Sequence, residues 1–166
     1  MPGSVCRARR ATRDREIAPS LIPSLFFTTY DEENAVMTPT VLELIDALRA
    51  HLNEFAVPAP RSVNLIADRD RPNVRLQLAV SCSDREIASA LLAWADTLID
   101  VTAEAWRPPD GEWVHLSVTG ESPSGVSVHV YGYRPFAVGS IGTDLVPGAA
   151  AAIPLSALRR MATRDE

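Results

Sequence analysis

Trp113, His115, His129, Tyr131 and Tyr133 fall at odd-numbered positions within Glu112–Tyr133 and include two of the three histidines and two of the three tyrosines in this sequence. Trp113 and His115 precede a Gly-Glu-Ser-Pro-Ser-Gly break, and His129, Tyr131 and Tyr133 follow it. On both sides apolar and polar residues alternate, the pattern of two antiparallel strands with one half-buried face. A register that sets His115 against His129 and Trp113 against Tyr131 would let two imidazoles share a metal, a proton or an anionic ligand. Zinc needs a third and usually a fourth ligand. No carboxylate is expected on that face, so the histidines read as partly exposed neutral side chains, and neither metal nor cofactor is expected. The aromatic rings on an open sheet could instead stack bases, or be covered by a second subunit or by the C-terminal segment. Arg75 and Arg134 are the only candidates for a cationic rim.

Elsewhere the catalytic signals are weak. Gly139-Ser-Ile-Gly-Thr has too few glycines and no Lys for a phosphate loop, and no Gly-x-Ser-x-Gly elbow occurs. Cys82, at a predicted strand end just before a capped helix, is the one nucleophile with a physical rationale, since a helix N-terminus lowers a thiol pKa. The bland reading is a small buried residue. Cys6 and Cys82 fit no metal or redox spacing. His51 lies near an apolar helical stripe and reads as a packed side chain.

Composition narrows the classes. The chain has 166 residues, 46% hydrophobic and 22% charged, with a formal charge of -5. All 16 basic residues are Arg, a bias that looks like translation from a GC-rich bacterial or bacteriophage genome. An acidic balance with scattered Arg argues against broad electrostatic binding to nucleic acid or anionic membrane. No apolar run reaches the length of a membrane span, and a reducing, cytoplasmic setting is the default.

The elements that must position the site follow in order. Residues 1–36 lack periodicity; Asp31-Glu32-Glu33 ahead of Met37 suggests a purine-rich ribosome-binding sequence, so that segment is expected to be a translated leader or a disordered arm. Thr38 and Pro39 are expected to open a helix with Val41, Leu44, Ile45, Leu48, Leu52 and Phe55 on one side. Strands are expected at Ser62–Asp68 and Val74–Ser81 around a charged turn. Ser83 and Glu86 form a capping pattern before a long helix with Ile87, Leu91, Trp94, Leu98, Val101 and Ala105, ended by Pro108 and Pro109. Phe136–Val146 reads as an edge strand or ordered loop, Gly148–Ala152 is featureless, and Pro154–Met161 reads as a short helix.

The expected fold class is α+β: a two-layer sandwich of a four-stranded antiparallel sheet with two helices on one face. An αββαββ pseudo-repeat fills 37–133, and a C-terminal extension, 134–166, packs on it. One face of the sheet would then carry Asn64, Ile66, Arg75, Gln77, Trp113, His115, Ser117, His129, Tyr131 and Tyr133. The functional expectation is a non-enzymatic cytoplasmic interaction protein, using that face to form a homodimer or hold a protein partner. The alternatives are a regulator binding a small ligand or single-stranded nucleic acid, and a small enzyme using Cys82 or the His115/His129 pair.

Overall fold

The computed structural model describes residues 39–68, 72–79 and 83–164. The expectations for 1–36, Met37, Thr38, Cys6 and Cys82, and for the tip of the charged turn, lie outside the described residues.

Helix α1 spans Val41–Glu54. Its N-cap is Thr40, two residues beyond the expected position, because Thr40 has the partner a capping box requires. The Glu43 amide donates to Thr40 Oγ1 at 3.3 Å and the Thr40 amide donates to the Glu43 carboxylate at 2.6 Å. The Thr40 amide, and with it the Thr40 hydroxyl, which also donates to the carboxylate, hold the Glu43 carboxyl below its ordinary pKa. The hairpin of β1 (Pro60–Ile66) and β2 (Asn73–Leu78) follows, with Val63 opposite Leu76 and Asn64 opposite Arg75.

Helix α2 spans only Asp84–Ala95, with Ser83 as N-cap accepting from the Glu86 amide. The long helix expected through Ala105 does not form. Thr97 stops it: its amide and its hydroxyl both bond the Trp94 carbonyl. The chain then turns into β3 (Ile99–Trp106), with Ala103 and Ala105 buried and Thr102, Glu104 and Trp106 exposed. Residues 99–106 carry a period-2 pattern as well as a helical one. β-Branched Ile99, Val101 and Thr102, and the left-handed Asp100 (φ 52°) at an irregularity in the ladder, favour the strand.

Strands β4 (Trp113–Glu121) and β5 (Ser127–Pro135) form the expected antiparallel hairpin. Two elements lie beyond it. Ala150–Ile153 is a short strand, β6, antiparallel to β3, and Leu155–Ala162 is helix α3. Residues 136–149 form turns rather than a strand. Arg107 holds that connection by donating to the Leu145 carbonyl at 2.9 Å and by placing its guanidinium 3.7 Å from the Phe136 ring centre.

The fold class is α+β, but the sheet is neither four-stranded nor wholly antiparallel. Among the described residues it has six strands in the order β1-β2-β5-β4-β3-β6, and β2 runs parallel to β5. The parallel pair arises because β2 reaches β5 only after α2 and the β3-β4-β5 meander. The second unit is therefore αβββ, not αββ, and the pseudo-repeat is lost. Among the described residues three helices accompany the sheet, the third being the short C-terminal helix expected near Pro154–Met161. α1 and α2 pack on the side carrying Val74, Leu76, Val114, Leu116, Val118, Val128 and Val130, and α3 packs against α2. Trp94, fully buried, anchors this layer by donating from Nε1 to the Pro58 carbonyl at 3.1 Å and stacking on His51 at 5.3 Å.

Candidate functional site

Parity along β4 and β5 divides the sheet. Even-numbered positions are buried beneath the helices, while Trp113, His115, His129, Tyr131 and Tyr133 are half-buried on the other side. Pairing across strands places Asn64, Arg75, His129 and Thr119 in one row, and Ser62, Gln77, Tyr131, Ser117 and Glu104 in the next. Tyr133, His115 and Trp106 make a third row. Each row combines sequence-distant strands, so the shared face is a product of register.

The register differs from the expected one. His115 lies opposite Tyr133, His129 opposite Thr119, and Trp113 opposite Pro135. The two histidines do not face each other: the Tyr131 ring contacts both, 6.3 Å from His115 in a near-parallel stack and 5.7 Å from His129. The turn explains the shift. Ser122–Gly125 closes it with a Gly125 amide bond to the Ser122 carbonyl, and Ser122 Oγ accepts from the Val126 amide. Ser127 therefore begins β5 opposite Glu121.

The rings form a continuous network. Trp106 meets His115 edge-on at 4.9 Å, His115 lies 5.6 Å from Tyr133, and Tyr133 meets Trp113 edge-on at 5.4 Å. Polar contacts fix its other side. His129 Nδ1 and Thr119 Oγ1 are 2.9 Å apart, and Gln77 Oε1 accepts from Tyr131 and from Ser62. Burial lowers the pKa of both imidazoles. Asp110 opposes the shift at His115; at His129, Arg75 reinforces it and Glu104 opposes it. Both rings are accordingly neutral near pH 7.

Four side chains on this face were not expected there, Thr119 beside His129 among them. Glu104 brings a carboxylate to the lining of this face, Trp106 brings its most exposed ring (39%), and Ser62 brings a hydroxyl. Glu104 and Trp106 were hidden by the helical reading of 99–106; alternation of Ala103 and Ala105 with Thr102, Glu104 and Trp106 was the available signal. Arg134 leaves the proposed rim altogether. Its even position turns it to the helix side, where it is 2% exposed and 3.2 Å from Asp84. Arg75 is the remaining cation of the two.

Between these rows lies a depression of about 350 Å³, lined by Arg75, Glu104, Trp106, His115, His129 and Tyr131 among others. Among the described residues, no group of three or more His, Cys, Asp or Glu side chains could hold a metal ion, and no helix is long and apolar enough to cross a membrane. His51 lies apart from the site, packed between Phe55 and Trp94.

Fold and geometry thus define an α+β protein whose mixed sheet carries an aromatic face away from its helices. No protein-family pattern, curated protein or solved structure matches the chain.

Proposed function

We propose that this chain is a non-enzymatic, cytoplasmic interaction protein that uses the odd-numbered sheet face to bind a second copy of itself. One observation carries the reading: a network of six rings, Trp106, Trp113, His115, His129, Tyr131 and Tyr133, lies on the side of the sheet away from the helices. Aromatic residues are enriched and charged residues depleted at interface cores. Neutral histidines suit such a surface because they can be covered without stranding a charge. The Tyr131 ring between the two histidines disfavours the one alternative in which a His115/His129 pair carries chemistry.

Light scattering coupled to size-exclusion chromatography tests this. The wild-type chain should be dimeric, and Trp106→Arg or Tyr131→Arg should give a folded monomer. A wild-type monomer at the highest attainable concentration would overturn the self-association reading.

A second surface supplies the rival geometry. Val41, Leu42 and Ile45 on α1, and Val63 on the edge strand β1, are exposed. A dimer that survives the sheet-face substitutions but dissociates with Leu42→Arg would have this edge as its contact. The depression supports a third possibility, since about 350 Å³ falls within the range of small-ligand clefts. Single-stranded nucleic acid has less support: the lining of the depression balances the charge of Arg75 with that of Glu104.

A further inference from the structure

A second concavity, of about 530 Å³, lies where the start of α2, helix α3 and the 139–141 turn meet. Its lining holds three guanidinium groups, from Arg85, Arg160 and Arg164, and one carboxylate, Asp84. That carboxylate already has a partner. Its Oδ1 lies 3.2 Å from Nε of the buried Arg134, although Nε makes no hydrogen bond. Arg134 also donates to the Ile141 carbonyl at 2.9 Å and to Ser140 Oγ, fixing the turn that forms one wall.

The local charge is therefore unlike that of the chain. Among the described residues, the lining carries Arg160 and Arg164 in addition to Arg85, which is already engaged, and Asp84, which faces Arg134, whereas the whole sequence carries -5. Glu86, also in the first turn of α2, is outside the lining. Arg160 lies in the last turn of α3 and Arg164 follows its C-cap, Thr163, so both guanidinium groups line the cleft from one end of that helix. Part of their presence is explained by the negative end of α3, which attracts cations. That does not explain why the cleft is also formed by the N-terminal turn of α2, whose dipole adds positive potential. Ile141 and Met161 supply apolar surface beside the charges.

We propose that this cleft binds a small molecule bearing a multiply charged oxyanion, with Arg160 and Arg164 contacting the oxygens and Ile141 and Met161 contacting an apolar portion. Guanidinium forks match phosphoryl and carboxylate oxygens in the same way, so the source of the charge must be separated by experiment.

Isothermal titration calorimetry of the full chain at constant ionic strength, with pyrophosphate and with citrate, provides the test. At least one should bind saturably at a single site. Arg160→Gln combined with Arg164→Gln should weaken binding by about tenfold or more, with an unchanged circular dichroism spectrum because both side chains are exposed. Arg49→Gln, on α1, should leave affinity unaltered. Pyrophosphate binding alone identifies phosphoryl ligands, and citrate binding alone identifies polycarboxylates; either result supports the site. No saturable binding up to about 10 mM, or equal affinity in the double variant, would overturn it.

Discussion

Strands β4 and β5 present two chemistries from one piece of chain. Toward the helices they offer Val114, Leu116, Val118, Val128 and Val130, all nearly inaccessible. Toward the other side they offer Trp113, His115, Tyr131 and Tyr133, each half-buried and held mainly by ring contacts within the face. The difference separates what stability requires from what it leaves free. Burying small branched side chains under a helix stabilises the fold with few alternatives. Large amphipathic rings on a surface contribute less to folding and more to anything that covers them.

Substitutions should therefore divide by face. The largest loss is expected on the helix side. Trp94→Ala removes a fully buried ring, its stack on His51 and its bond to Pro58, and should cost about 3–5 kcal/mol in urea unfolding. A loss under about 1 kcal/mol would mean that the helix layer is not the core. Gly120→Ala should come next. A Cβ there would sit 2.7 Å from the Ile99 carbonyl oxygen, against the irregular start of β3. The ladder must shift to admit it, at about 1–3 kcal/mol. Trp106→Ala, on the other face, should cost about 1 kcal/mol, the scale of its edge contact with His115. If it matched Trp94→Ala, the aromatic face would be a second core rather than a surface.

The division was legible in sequence where alternation was undisturbed. Val114, Leu116, Val128 and Val130 against His115, His129 and Tyr131 suffice to assign sides, because a strand has no other way to place them. Register was not legible. It depends on the Ser122–Gly125 turn, whose hydroxyl and amide bonds cannot be read from residue types. The β3 error has a different origin: Ile87, Leu91, Trp94, Leu98, Val101 and Ala105 satisfy helical spacing across a real break at Thr97. The period-2 signal of 99–106 competes with the helical one, and the pairing of Ala103 and Ala105 with β4 settles the contest. β6 is built of Ala150, Ala151, Ala152 and Ile153, residues with little strand signal, and exists because β3 offers an open edge. The parallel β2-β5 pair joins strands separated by α2, β3 and β4, a choice made by the whole sheet. Arg134 shows that parity also governs charge: its even position predicts burial, whatever its residue type suggests.

The smallest effect should come from pH, and it again contrasts the two sides. His51 is buried on the helix side with Nε2 2.9 Å from Thr97 Oγ1. That hydroxyl gives its own proton to the Trp94 carbonyl, so Nε2 donates and Nδ1 keeps the lone pair, buried without a partner. Protonating Nδ1 would create a donor with nothing to accept it. Burial lowers the pKa of His51 below 6.5, with Glu54 opposing; burial does the same at His115 and His129. In each case the unfolded chain binds the proton more readily, so the stabilisation is complete above about 6.5 and declines as pH falls toward the folded values. Thermal unfolding should show a lower Tm at pH 5 than at pH 8, and His51→Gln should reduce that dependence by removing the enclosed imidazole. If His115→Gln reduced it more, the aromatic face would be the better-sealed side, and its proposed availability to a partner would have to be abandoned.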